Sequence, residues 1–141
     1  RADGSDVERC RRGVWFAGGR PLSEVCPPEM SDAFPEEFTV EAGDYCIVKP
    51  RFSAFFSTQL DLLLRRLGVD TVILAGTTTP NCIRTTCYDA LSLDYDVVVL
   101  SDCTSSVSDE VQSANLRDMA RIGARICTGA ELPTLLGEAR A

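Results

Sequence analysis

One corner of the chain restricts the fold more than any other feature: an apolar run that breaks into Gly76-Thr77-Thr78-Thr79-Pro80. Ahead of the corner, Val72-Ile73-Leu74-Ala75 is short, apolar and bounded by turn residues, which predicts a strand buried on both faces. After it, Thr79-Pro80 predicts a helix start, with a hydroxyl residue to cap and proline at the first helical position. Cys82 then falls in the first helical turn, just past the carboxyl end of a buried strand, where open α/β sheets bind ligands. A thiol there faces unpaired backbone N–H groups and the positive end of the helix dipole, and both favour thiolate over thiol. The same N–H groups can stabilise an oxyanion on a carbonyl that the sulfur attacks. Against this stands the plain alternative that Cys82 is one more small buried hydrophobe.

A second strand is expected upstream, over Asp44–Lys49, from the apolar residues Tyr45-Cys46-Ile47-Val48. It ends in Lys49-Pro50-Arg51-Phe52-Ser53-Ala54-Phe55, a lysine followed by proline and two interleaved aromatics. Alone, Lys49 reads as a solvated surface cation. Beside a cysteine nucleophile, in a chain with no histidine, it becomes a candidate for steadying a thiolate.

The remaining elements follow by periodicity. Thr58-Gln59-Leu60-Asp61 has capping-box spacing, and Leu60, Leu63, Leu64 and Leu67 lie at i, i+3, i+4 and i+7. Asp61 and Arg65 are spaced to pair outside, and Gly68 ends that helix. The strand Thr71–Ala75 comes next, and the Cys82 helix runs to about Leu93, with Cys87 pointing elsewhere as packing. Asp96–Leu100, with Val97-Val98-Val99, is a third buried strand, ending at Ser101-Asp102; Asp102 suits a structural turn better than the site. Ser108 starts a helix to about Ile122, Ala124–Thr128 is a last short strand, and Glu131–Ala139 a terminal helix. Strands alternating with helices imply a parallel sheet with right-handed crossovers.

The 141 residues suit a single domain, 1–141, with an irregular segment over 1–42 and a β/α core over 43–141. In the irregular part Trp15 and Phe16 are expected to be buried in the core, with packing over a pocket mouth as the alternative. The net charge of −7 argues against nucleic acid or an anionic membrane as partner. No run is long enough to span a bilayer, so no membrane partner is expected. Seven cysteines, none in a CxxC pair, and no histidine make a metal site unexpected. They read as reduced thiols of a cytoplasmic protein.

The lysine segment above, then Thr58-Gln59-Leu60-Asp61, then Gly76-Thr77-Thr78-Thr79-Pro80-Asn81-Cys82-Ile83-Arg84-Thr85-Thr86, resembles the isochorismatase-like cysteine hydrolase family, over about Gly43 to Thr128. The resemblance implies a Rossmann-like three-layer α/β/α fold and a Cys–Asp–Lys triad, with Cys82 as nucleophile and Lys49 as its cation. It implies a cis peptide at Thr77–Thr78, which turns the Thr78 N–H, with the Cys82 N–H, toward an oxyanion. Arg51 and Phe52 are tentative substrate contacts. The expected reaction is cleavage of a C–N amide, ureido or carbamoyl bond of a small molecule through a thioester. No cofactor is expected, and the protein is expected to be a homo-oligomer.

The family's aspartate ends an apolar first strand, and no such run exists here; Asp3, Asp6 and Asp32 all lie in polar surroundings. Histidines serve as zinc ligands in the nicotinamidase branch, and this chain has none, which disfavours that identity. The fold is therefore expected to be N-terminally truncated, with the general base unassigned. In the family's sheet, two strands lie between the Lys49 strand and the strand leading to Cys82. Without them Thr71–Ala75 is expected to form an exposed edge, unless Asp44–Val48 pairs with it directly. A catalytically silent binding or assembly module is the alternative function, and a vinyl-ether hydrolase a lesser third.

Overall fold

The computed structural model describes residues 9, 10, 34 and 37–138. Trp15, Phe16, Asp3, Asp6 and Asp32 lie outside the described residues. The chain divides into two units between Tyr45 and Cys46. In the first, described residues 37–45 form neither helix nor strand. Asp44 closes a turn there: its carboxylate accepts from Glu41 N–H at 2.9 Å, and its own N–H donates to Glu41 O at 3.1 Å.

The second unit carries α1 (Leu60–Arg66), β1 (Thr71–Thr77), a single π-helical turn (Thr79–Ile83), α2 (Arg84–Ser92), β2 (Asp96–Ser105), α3 (Asp109–Arg121), β3 (Arg125–Cys127) and α4 (Leu132–Glu138). The strands form a parallel sheet in the order β1-β2-β3. Val97-Val98-Val99 explains the layering. Side chains alternate across a strand, so Val97 and Val99 join Leu74, Cys87, Ala90 and Met119 on one face. Val98 and Leu100 join Cys127 on the other, beneath Leu132 and Leu135 of α4. All three valines are fully buried, each contributing about 1.5–3 kcal/mol by leaving water. A strand buried twice over needs a helical layer on each side, and that is the three-layer α/β/α arrangement.

Three expectations change. The strand over Asp44–Lys49 does not form, and 44–50 carry no regular structure. A strand exists only by hydrogen bonding to a neighbour, and among the described residues β1 takes none on its outer edge; Tyr45 and Val48 are exposed. β1 is also buried on one face only: Leu74 is buried while Ile73 is 40% exposed, because no described helix covers that side of β1. Finally, β2 runs past Asp102 to Ser105. Leu74 pairs with Val99 but Gly76 with Thr104, so β2 bulges and then resumes its pairing with β1.

Candidate active site

The corner after β1 is built from the residues that predicted it, with the roles redistributed. Gly76 takes φ +117°, a conformation that side chains rarely adopt, and the peptide between Thr77 and Thr78 is cis. Thr78, not Thr79, holds the extended cap position, and no side chain caps the turn. Thr79 is fully buried, and its hydroxyl donates to Ser105 O at 3.0 Å, tying the corner to the end of β2. Thr78 O accepts from Asn81 N–H at 3.1 Å and Ile83 N–H at 3.5 Å, and Asn81 Nδ2 donates to Thr78 Oγ1 at 3.1 Å. Pro80 occupies the first turn, where its missing N–H costs nothing.

Cys82 therefore sits in a wide helical turn at the carboxyl end of β1, half-buried. Lys49 Nζ donates to its sulfur at 3.5 Å, to Arg51 O at 2.7 Å and to Phe52 O at 3.2 Å. An ammonium has three donors, and these three acceptors use all of them. The loop thus wraps its own cation and presents it to the thiol. Arg51 and Phe52 are joined to Lys49 through their carbonyls; the Arg51 guanidinium folds back onto Pro50 O at 2.7 Å, and the Phe52 ring is half-buried.

Two contacts that residue patterns did not reveal hold this geometry. Ala54 N–H donates to Thr86 Oγ1 at 3.0 Å, fastening the lysine loop to α2. Phe55 packs on Tyr95 with ring centroids 5.7 Å apart. On the other side of α2, Arg84 pairs with Asp118 at 2.6 Å, reaches Asn115 Oδ1 at 3.1 Å and lies over the Tyr88 ring. Tyr88 Oη donates to the same Asp118 carboxylate at 2.8 Å. This network locks α2, which continues directly from the Cys82 turn, against α3. Its members are ordinary helical polar residues, and only the crossing of α2 and α3 brings them together.

Three further thiols are raised by their surroundings. Cys87 is fully buried, and burial pushes its thiol up to about 11. Loss of solvation, then the neighbouring Asp102 carboxylate, raises Cys103; burial, then Glu131 and Asp102, raises Cys127. Asp102 has a structural role: it accepts from Gly129 N–H at 2.9 and 3.2 Å, which holds its carboxyl below the usual range. No carboxylate among the described residues bonds to Cys82 Sγ. The chain has no histidine, and among the described residues no group of three or more Cys, Asp or Glu could hold a metal ion. No described helix is long and apolar enough to cross a membrane.

Comparison with known proteins matches the isochorismatase domain to residues 15–131. The match begins well upstream of Gly43, where the motif resemblance stops. A probable inactive nicotinamidase of Arabidopsis thaliana is 49% identical over 128 residues, covering 89% of this chain and 64% of its own length. A maleamate amidohydrolase of Pseudomonas putida is 35% identical over 107 residues, covering 76% of this chain and 50% of its own. The crystal structure of an isochorismatase family protein from Desulfovibrio vulgaris superposes with a TM-score of 0.84 at 40% identity, over 97% of this chain and 70% of that one. The chain thus spans half to two-thirds of the length of these curated relatives.

Proposed function

Because this chain belongs to the isochorismatase family, we propose that it is the cysteine-bearing part of a hydrolase that cleaves a C–N amide, ureido or carbamoyl bond of a small molecule. The observation that carries this reading is the Lys49 ammonium 3.5 Å from Cys82 Sγ, at the carboxyl end of β1. The maleamate amidohydrolase relative supports the amide class.

In the proposed reaction the Cys82 sulfur bonds to the carbonyl carbon and the C–N bond breaks. The nitrogen leaves with a proton, and water then cleaves the thioester to an acid and the restored thiol. Lys49 supplies positive charge beside the sulfur. The Thr78 and Cys82 N–H groups, at the Thr77–Thr78 corner, are proposed to hold the carbonyl oxygen as it gains charge. Arg51 would meet an anionic group of the substrate and Phe52 its apolar part. No described residue is assigned to move the proton.

The absence of a carboxylate on the Cys82 sulfur among the described residues favours a second reading: a silent module on the same fold. The name of the Arabidopsis relative points the same way. Turnover of maleamate and of ureido compounds by the full-length protein, compared with its Cys82→Ala variant, separates the two. Hydrolysis lost in Cys82→Ala supports the enzyme; no hydrolysis by either overturns it.

A further inference from the structure

The lysine that faces Cys82 rides on a segment without regular structure: from residue 44 to residue 59 there is no helix or strand. Its ammonium nonetheless has three acceptors, one of them on another element. Something must fix the loop to the helix, because a loop held only by its own turns keeps much of its backbone freedom.

The fastening is at Thr86. Four residues past Cys82, about one helical turn, it stands on the same side of the helical run. Its side chain is 5% exposed, and its hydroxyl accepts the Ala54 N–H at 3.0 Å. A threonine inside a helix ordinarily turns its hydroxyl back on the preceding turn. Thr85 does so, donating to Asn81 O at 2.7 Å, whereas Thr86 serves the loop. The loop around the contact is knitted locally. Ser53, itself buried, accepts from Phe55 N–H at 3.2 Å, and Thr58 Oγ1 donates to Ala54 O. Ala54, through its N–H on one side and its carbonyl on the other, thus joins the loop's own turn to α2, five residues after the lysine.

We propose that Thr86 is the positioning residue for Lys49: its hydrogen bond to Ala54 sets where the ammonium stands relative to the Cys82 sulfur. The proposal rests on the reading in which Lys49 activates Cys82. Thr86 touches neither sulfur nor substrate in this role; it acts through the loop.

The test is the rate at which iodoacetamide alkylates Cys82 in the full-length protein, followed by mass spectrometry, with urea unfolding measured alongside. Thr86→Val keeps the shape and removes the acceptor. It is expected to slow alkylation about tenfold, Thr86→Ser to restore it to within about twofold, and Lys49→Met to be slow alone. The double variant Thr86→Val/Lys49→Met is expected to be no slower than Lys49→Met, because both changes remove one effect. A rate unchanged by Thr86→Val, with Lys49→Met slow, overturns the positioning role and leaves the lysine reading standing. So does a double variant slowed by the product of the two single effects. A wild-type rate in Lys49→Met overturns both. Should Thr86→Val fail to fold, Ala54→Pro removes the donor from the loop side, and the same outcomes apply.

Discussion

Lys49 Nζ lies 3.5 Å from Cys82 Sγ across 33 residues of chain, and its remaining donors are satisfied by carbonyls of its own loop. The cation is therefore held in place and is directed at the sulfur. In the proposed reaction this puts a positive charge beside the sulfur that attacks the carbonyl.

The first prediction removes that charge. Lys49→Met in the full-length protein is expected to slow iodoacetamide alkylation of Cys82 at neutral pH about tenfold and to abolish the proposed amide turnover. An unchanged rate would reduce Lys49 to a surface cation.

A second prediction compares the thiols within one molecule. Cys87, Cys103 and Cys127 are all pushed up by loss of solvation, the last two also by nearby carboxylates. Limited alkylation of the folded protein at neutral pH, mapped by mass spectrometry, is expected to mark Cys82 ahead of all three. Faster labelling of any of them would remove the ground for calling Cys82 the nucleophile.

The buried thiol on α2 gives a pH dependence. Burial raises Cys87 from its ordinary 9.0 to about 11, so the folded state holds that proton more tightly than the unfolded chain. The linked stability is whole below pH 9 and is lost as pH climbs through about 11. Relative to Cys87→Ala, the wild type is expected to lose up to about 3 kcal/mol across that window in urea unfolding. Parallel curves for the two proteins would show that Cys87 does not titrate with folding.

The corner itself is tested at Gly76, where φ is +117°. A methyl group there has room, its nearest neighbour being Ile83 Cδ1 at 3.9 Å, so the cost of Gly76→Ala comes from the backbone. The variant is expected to lose about 1 kcal/mol or more in urea unfolding. A neutral or stabilising effect would mean that the corner has a different conformation.

Three residues past Ser105, Ser108 Oγ accepts from Val111 N–H at 3.3 Å and caps α3. Ser108→Ala is expected to cost about 1 kcal/mol of stability with alkylation of Cys82 unchanged. A change in Cys82 reactivity would show that the cap of α3 acts on the Cys82 turn.

Much of this was legible from residues alone, wherever local chemistry decides. Ser108 followed by Asp109 and Glu110 started a helix because a hydroxyl and early negative charge satisfy any helix N-terminus. Val97-Val98-Val99 announced a twice-buried strand because only two covering layers can take apolar residues on both faces. Gly76 to Cys82 read as strand, corner and helix because glycine and proline limit the backbone whatever surrounds them.

What patterns misjudged depends on neighbours. Tyr45-Cys46-Ile47-Val48 has strand composition, but composition supplies no partner, and without one the segment stays irregular. Val72-Ile73-Leu74-Ala75 looks buried twice over, yet which faces are covered is settled by where α2 and α4 land. Thr79 has every property of a cap and spends its hydroxyl on Ser105 instead, because β2 resumes pairing beside it. The motifs named Cys82 and Lys49, since each carries its chemistry in its own side chain. That they meet, and that Thr86 and Ala54 fasten the loop between them, was decided by tertiary structure: a hydrogen bond between residues 32 positions apart leaves no periodic trace in the sequence.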